Sequence, residues 1–98
     1  MKGPLIYYSI KEWFGTNLSS TKLASELRKS IEEDIELDFN IELDFEGVKS
    51  VTNGWARNLI GKLIKDNGED YFKNHILLSN MTKNVRVNIL EGIEQMIS

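Results

Sequence analysis

The run from Ile41 to Lys65, IELDFEGVKSVTNGWARNLIGKLIK, limits what this chain can fold into more than any other stretch. Ile41, Leu43 and Phe45 alternate with Glu42, Asp44 and Glu46, the period-two pattern of a strand with one buried face. Gly47 ends the alternation, and a polar loop comes next, Lys49-Ser50-Val51-Thr52-Asn53-Gly54. Trp55, Leu59 and Leu63 then recur every fourth residue, with Ala56, Ile60 and Ile64 beside them. That spacing is the apolar stripe of a helix. Strand, short loop and helix make the corner of an open α/β sheet where ligands, phosphates or partners sit.

The chain's 98 residues point to one domain with a modest core. Its apolar share of 41% and charged share of 28% are those of a soluble globule rather than a disordered tail. Without cysteine, disulfide and thiolate chemistry are excluded. No apolar run approaches the ~20 residues of a membrane span. In MKGPLIYYSIKEW, Glu12 arrives before a signal-like apolar region forms, and no small-residue cleavage site comes after it. The expectation is therefore a cytoplasmic protein with no signal peptide. The net charge of -3 conceals an acidic block running from Glu32 to Glu46 with no base inside it. An acidic chain with scattered bases is a poor fit to nucleic acid, and none is expected as a partner.

Leu5 to Ile10 reads as a first strand, Lys11 to Phe14 as a turn or a scrap of helix, and Gly15-Thr16-Asn17 as a loop. Either Ser19 or Ser20 can cap the next helix, in which Leu23, Leu27 and Ile31 form the buried stripe. Glu32, Glu33 and Asp34 crowd its C-terminal turn, where the helix dipole favours cations, and no glycine caps it; fraying of the last turn is expected. The pentapeptide IELDF then occurs twice, at 35–39 and 41–45, separated by Asn40. One continuous strand over both copies would span ~36 Å in a domain whose radius of gyration should be ~13 Å. A break near Asn40 is expected, with the second copy as the core strand. Asn67 or Gly68 ends the second helix. Gly61 lies inside that helix at a cost of ~1 kcal/mol against alanine, which a close approach to the sheet would explain. Glu69 to Asn74 reads as a short helix and His75 to Ser79 as a strand. Asn80 or Thr82 caps a final helix with Val85, Ile89, Ile93 and Met96 as its stripe, joined by Leu90 and Ile97. The frame is α/β: one small β-α-β-α-β-α domain over residues 1–98, a mostly parallel open sheet with helical cover and right-handed crossovers.

Few residues here carry chemistry. His75 has no second histidine or cysteine to share a metal, so it is read as a hydrogen-bonded structural residue. Glu36, Asp38, Glu42 and Asp44 read as a solvated strand face rather than an acid–base pair. No phosphate-binding, dinucleotide or zinc-protease motif occurs. No metal and no cofactor are expected. Thr52 or Asn53 is expected to cap the second helix. Trp55 either closes the core under the loop or anchors an interface. Tyr7, Tyr8, Trp13 and Phe14 either pack or, if exposed, mark a dimer or partner patch.

LDFEGVKSVTNGWARNLIGKL, Leu43 to Leu63, and NGEDYFKNHILLSNMTKNVR, Asn67 to Arg86, together resemble the STAS domain, the sulfate-transporter and anti-sigma-factor-antagonist fold. The closer likeness is to its bacterial STAS-like branch of unknown function. The shared features are a strand ending Asp-Phe-x-Gly-Val, a Ser/Thr-rich loop, an aromatic-Ala helix opening and a Gly-Glu-x-x-Phe turn. A strand ending Leu-x-Asn and a last helix with Val-Arg complete them. The likeness covers roughly half the chain and implies a non-enzymatic regulatory module. In anti-sigma antagonists a serine of an Asp-Ser-Ser-Gly loop is phosphorylated by a partner kinase. Ungapped alignment places Thr52 at the loop aspartate, Asn53 and Gly54 at the serines and Trp55 at the glycine. The acceptor position is thus filled by a residue that cannot take phosphate, and Ser50 and Thr52 are the loop's remaining hydroxyls.

The leading expectation is a protein-binding regulatory module with Ser50, Thr52, Asn53, Gly54, Trp55 and Arg57 as its contact surface. Thr52 is the candidate phospho-acceptor, with Arg57 beside it, and Asp44 orders the loop by accepting backbone N–H bonds. The expected partner is a protein, of which a kinase-like ATPase is one form. The alternatives are a small enzyme or nucleotide binder using the same loop, or a structural homodimer using the aromatic N-terminus.

Overall fold

A computed structural model describes residues 3–97. Three parallel strands form the main sheet: β1 (Leu5–Ser9), β3 (Asn40–Asp44) and β5 (Ile76–Ser79), in the order β1-β3-β5. A two-residue parallel pair, β2 (Asn17–Leu18) with β4 (Ser50–Val51), stands beside it. The helices are α1 (Ile10–Phe14), α2 (Thr21–Glu36), α3 (Asn53–Ala56), α4 (Lys62–Asn67), α5 (Glu69–His75) and α6 (Lys83–Ile97). A π-helical turn, Arg57–Gly61, joins α3 to α4. The expected α/β frame is present; the scrap of helix read at 11–14 is α1, and β2 and β4 are added to the frame.

Each element arises from local chemistry. Ser20 caps α2 by accepting from the Leu23 N–H (3.1 Å). The α2 stripe is Ala24, Leu27, Ile31 and Ile35, and Leu23, expected inside, is 37% exposed. The C-terminal turn of α2 does not fray. Asp38 adopts φ +68°, and the N–H groups of Asp38 and Phe39 donate to the carbonyls of Ile35 and Asp34. This is a left-handed helix cap, for which an aspartate serves in place of glycine. Asp34 also accepts the Tyr8 hydroxyl, and Arg28 lies 4.0 Å from Glu32, so part of the acid crowding is relieved. The first IELDF copy is therefore a helix end and a turn, and only the second is a strand. A strand of ~36 Å would not have fitted a molecule of 31 × 29 × 24 Å.

The sheet has two unlike faces. Ile41 and Leu43 of the central strand are fully buried beneath the helices, each worth about 1.5–3 kcal/mol. Ile6, Tyr8, Ile76 and Leu78 share that face. On the other face Tyr7, Glu42 and Leu77 make one lateral row and Leu5 with Asn40 another. Leu5, Tyr7 and Leu77 are 50%, 56% and 47% exposed. Among the described residues the helices cover one face of the sheet, and the other is partly exposed.

The π turn inserts an extra residue into the helical run of 53–67, which rotates the apolar stripe by about 100°. Leu59, Ile60 and Leu63 are all fully buried as a result. Arg28 of α2 donates to the Asn58 carbonyl in this turn (2.6 Å). Gly61 is close to another helix rather than to the sheet. A Cβ there would stand 3.0 Å from Met96 Cβ of α6. Thr82 caps α6 by accepting from the Val85 N–H (3.2 Å). Val85 and Ile89 are buried, Ile93 and Met96 lie at the edge of the stripe, and Leu90, expected in it, is 50% exposed. The Ile97 side chain lies outside the described residues. Among the described residues no helix is long and apolar enough to cross a membrane.

Candidate functional site

One carboxylate braces the start of the loop after β3. Asp44 is 6% exposed at the C-terminal end of the central strand. One of its oxygens accepts from the Glu46 N–H (2.9 Å) and from Asn80 Nδ2 (2.9 Å); the other accepts the Tyr7 hydroxyl. Asp44 thus orders the loop through the Glu46 N–H, and it also ties β1 and the residue after β5 to β3. Hydrogen bonds from Tyr7, Asn80 and Glu46 hold its carboxyl below the usual carboxylate range. The Tyr7 hydroxyl is pushed up to about 12 by its bond to Asp44, with desolvation and the charges of Asp44, Glu42 and Glu46 adding to it. Burial and then Asp34 raise Tyr8 as well. Sequence order could not place Tyr7 and Asn80 beside Asp44, because their meeting depends on strand order. Asn80 has φ +57°, a conformation asparagine tolerates better than most residues.

Beyond Gly47 the chain pairs with β2. The Lys49 N–H donates to the Thr16 carbonyl (2.7 Å) and the Thr52 N–H to the Leu18 carbonyl (2.9 Å). The Ser50 hydroxyl donates to Asn17 Oδ1 (2.7 Å). Thr52 is the helix cap, with Oγ1 accepting from the Trp55 N–H (3.2 Å), and it is exposed. Asn53, Gly54 and Arg57 are half-buried. Arg57 Nη1 donates to Gln95 Oε1 of α6 (2.7 Å). Asn58 Nδ2 donates to the Gly54 carbonyl (2.8 Å). A Cβ on Gly92 of α6 would fall 2.5 Å from Ala56 Cβ and 3.3 Å from the Asn53 carbonyl oxygen. The start of the 53–67 helix is therefore clamped by α6 on one side and approached by Thr21 of α2 on the other.

Trp55 does not belong to the accessible surface. It is fully buried, with its ring edge-to-face to Phe14 (5.2 Å) and Phe45 (6.0 Å). Among the described residues its Nε1–H has no hydrogen-bond partner. Indole area buried against two rings outweighs one unmet donor, so Trp55 closes the core under the loop and is out of a partner's reach. Phe14 is half-buried and Trp13 is 40% exposed. His75 ends α5 instead of leading β5, and its Nδ1 lies 3.1 Å from Asn40 Oδ1. The four carboxylates expected on one strand face are divided. Glu36 ends α2, Asp38 caps it, and Glu42 and Asp44 lie on β3. Glu42 accepts the Ser79 hydroxyl (2.8 Å). Among the described residues no group of three or more His, Cys, Asp or Glu is placed to hold a metal ion.

The family model for a STAS-like domain of unknown function matches residues 23–86. The chain belongs to that family. The matched part of this STAS-like domain begins within α2 and ends within α6, so it includes Asp44, the Thr52 cap and Asn80, whereas Tyr7 precedes it. No curated protein and no solved structure matches the chain.

Proposed function

We propose that this STAS-like domain is a non-enzymatic regulatory module that binds a protein partner through Thr52, Asn53, Gly54 and Arg57. One observation carries the reading: an accessible helix start is held in a fixed shape between α2 and α6. Thr52 is exposed there, and Asn53, Gly54 and Arg57 are partly so, while Gly92 and Gln95 brace them from behind. A preorganised surface loses little entropy on binding. Ser50, whose hydroxyl is engaged by Asn17, supports the loop from its edge.

Thr52 is also the residue at which such a surface can be switched. Its Oγ1 faces the first N–H groups of the helix, where the dipole favours negative charge. A phosphate there adds charge to the contact surface and changes what it fits. Intact mass of protein from its native host, taken across growth states, reads this directly. An unmodified mass in every state removes the switch and leaves the binding surface.

The binding surface itself is tested with Asn53→Glu. An acidic residue in the first turn of a helix is compatible with the dipole, so the fold should persist while the surface changes. Wild type should retain a partner from host extract that Asn53→Glu loses, with thermal unfolding unchanged within about 5 °C. A variant that keeps every partner of the wild type overturns the assignment.

A further inference from the structure

We propose that Arg28 of α2 is a positioning residue for the contact surface, and that it acts by holding the 53–67 helical run in its π register. The Lys62 N–H donates to the carbonyls of Arg57 and Leu59. In an unbroken α-helix it would donate to the Asn58 carbonyl, four residues back. The π turn thus takes from Asn58 the donor that an α-helix would give it. Arg28 supplies one in its place, with Nη1 2.6 Å from the Asn58 carbonyl oxygen. Asn58 passes the constraint on, its Nδ2 donating to the Gly54 carbonyl (2.8 Å). Gly54 belongs to the proposed contact surface, and the inference rests on that reading for its consequence at a partner.

Two registers compete along this run. In the observed one, Trp55 and Ala56 are buried just before the π turn, and Leu59, Ile60 and Leu63 are buried within and after it. An α-helical register would rotate residues 53–56 by about 100° and shift them by about 1.5 Å relative to 62–67. One of the two apolar groups would then leave its place, and the helix start would present a different set of atoms. The Arg28 bond matters more in the π register, where the Asn58 carbonyl has lost the Lys62 N–H. An interaction that differs between two states is what shifts the equilibrium between them, and a charged donor makes this one of the stronger hydrogen bonds. Its geometry is set from α2. The Arg28 side chain is only 13% exposed, and Glu32 Oε1 lies 4.0 Å from its Nε. Glu32 Oε2 accepts from Asn67 Nδ2 (3.0 Å), at the far end of the run. Helix α2 therefore splints the run at two points, its π turn and its last residue.

The test compares Arg28→Met with Lys29→Met, which removes the same charge from the next, exposed position of α2. Scalar couplings across hydrogen bonds, measured by NMR on isotope-labelled protein, identify the carbonyl to which each amide donates. Wild type and Lys29→Met should couple the Lys62 N–H to the Arg57 carbonyl. Arg28→Met should lose that coupling in favour of the Asn58 carbonyl, and the amide shifts of residues 53–57 should move while those of the central strand stay. Asn58→Ala should keep the Lys62–Arg57 coupling and move the Gly54 shift alone. An Arg28→Met protein with the wild-type coupling and wild-type shifts at 53–57 overturns the proposal, and so does a Lys29→Met protein that behaves like Arg28→Met. If Arg28→Met does not fold, Arg28→Lys decides: its compact ammonium cannot hold the Asn58 oxygen and Glu32 as the guanidinium does, so the Lys62–Arg57 coupling should weaken, and an unchanged coupling overturns the proposal. In host extract, Arg28→Met should lose the partner that Asn53→Glu loses; a shifted register with the partner retained overturns the positioning role. The coupling arm needs no partner. A wild type that captures nothing therefore counts against the contact surface, while the role of Arg28 in the π turn still stands or falls on Lys62.

Discussion

Replacing Gly92 with alanine adds one methyl group where α6 crosses the start of the 53–67 helix. The new Cβ would lie 2.5 Å from Ala56 Cβ, 3.3 Å from the Asn53 carbonyl oxygen and 3.4 Å from the Arg57 nitrogen. Carbon atoms rest about 3.5–4.0 Å apart, so the overlap is about 1 Å. None of the three neighbours is the end of a flexible side chain, so no rotamer change relieves it. Either α6 moves outward as a body or the 53–67 helix does. Overpacking of this kind costs about 1–3 kcal/mol. Exchanging glycine for alanine in a helix returns about 1 kcal/mol. Because the clash is against backbone and Cβ, the cost wins, with a net loss of up to about 2 kcal/mol and a fall in Tm of up to about 15 °C. Gly54→Ala is the internal control. Its Cβ would meet Thr21 Cγ2 at 3.4 Å and Arg57 at 4.0 Å, ordinary contacts, so the propensity gain should survive and stability should hold or rise. Urea titrations followed by circular dichroism, with m-values compared, measure both. A Gly92→Ala protein as stable as wild type, or a Gly54→Ala protein equally weakened, refutes the clamp.

Three further perturbations address the core and the carboxylate node. Trp55→Ala should cost about 3–5 kcal/mol because the ring is fully buried between Phe14 and Phe45; thermal unfolding reads it, and a near-neutral result would return Trp55 to the surface. The carboxyl of Asp44 is depressed in the folded state, so its contribution is present above the unfolded value of about 4 and is lost as pH falls towards the folded one. Asp44→Asn should therefore lower stability at neutral pH and flatten the acid limb of a pH–stability curve. Tyr7 runs in the opposite sense: raised to about 12, its contribution is full below the unfolded value of about 10 and fades as pH rises through the folded one. Tyr7→Phe should flatten that alkaline limb, and an unchanged limb would break the Tyr7–Asp44 link.

What could be read from the sequence divides along physical lines. Period-two alternation at Ile41 to Phe45 and four-residue spacing at Leu59 and Leu63 placed the strand and helix that build the corner, because burial of one face writes itself into the chain. The Thr52 cap was legible for a similar reason: the bond to the Trp55 N–H spans three residues. The Tyr7–Asp44–Asn80 node was not, since it joins residues from three strands or their ends. The π turn was not, because the extra residue leaves no compositional mark. Gly61 was recognised as a crowded position, but the neighbour is Met96 of α6, and which element arrives there is a tertiary fact. Leu23 and Leu90 satisfied the helical period and still lie at the surface. Periodicity gives the width of a stripe less sharply than its centre.

The repeated pentapeptide carries a consequence for how the chain avoids folding wrongly. Both copies offer β1 the same side chains, so a nascent sheet has two interchangeable candidates for its middle strand. Discrimination comes from the residues on the C-terminal side of each copy. Past the second, the Val48 N–H closes a turn on the Phe45 carbonyl, and Gly47 takes φ +83°. Shifted back by six residues, that turn would require Ile41 to adopt the same angle, which a β-branched residue resists strongly. Within the first copy, Asp38 instead closes α2. Two words spelled alike are told apart by their punctuation, and a glycine placed after the wrong one would leave this sheet with two competing alignments.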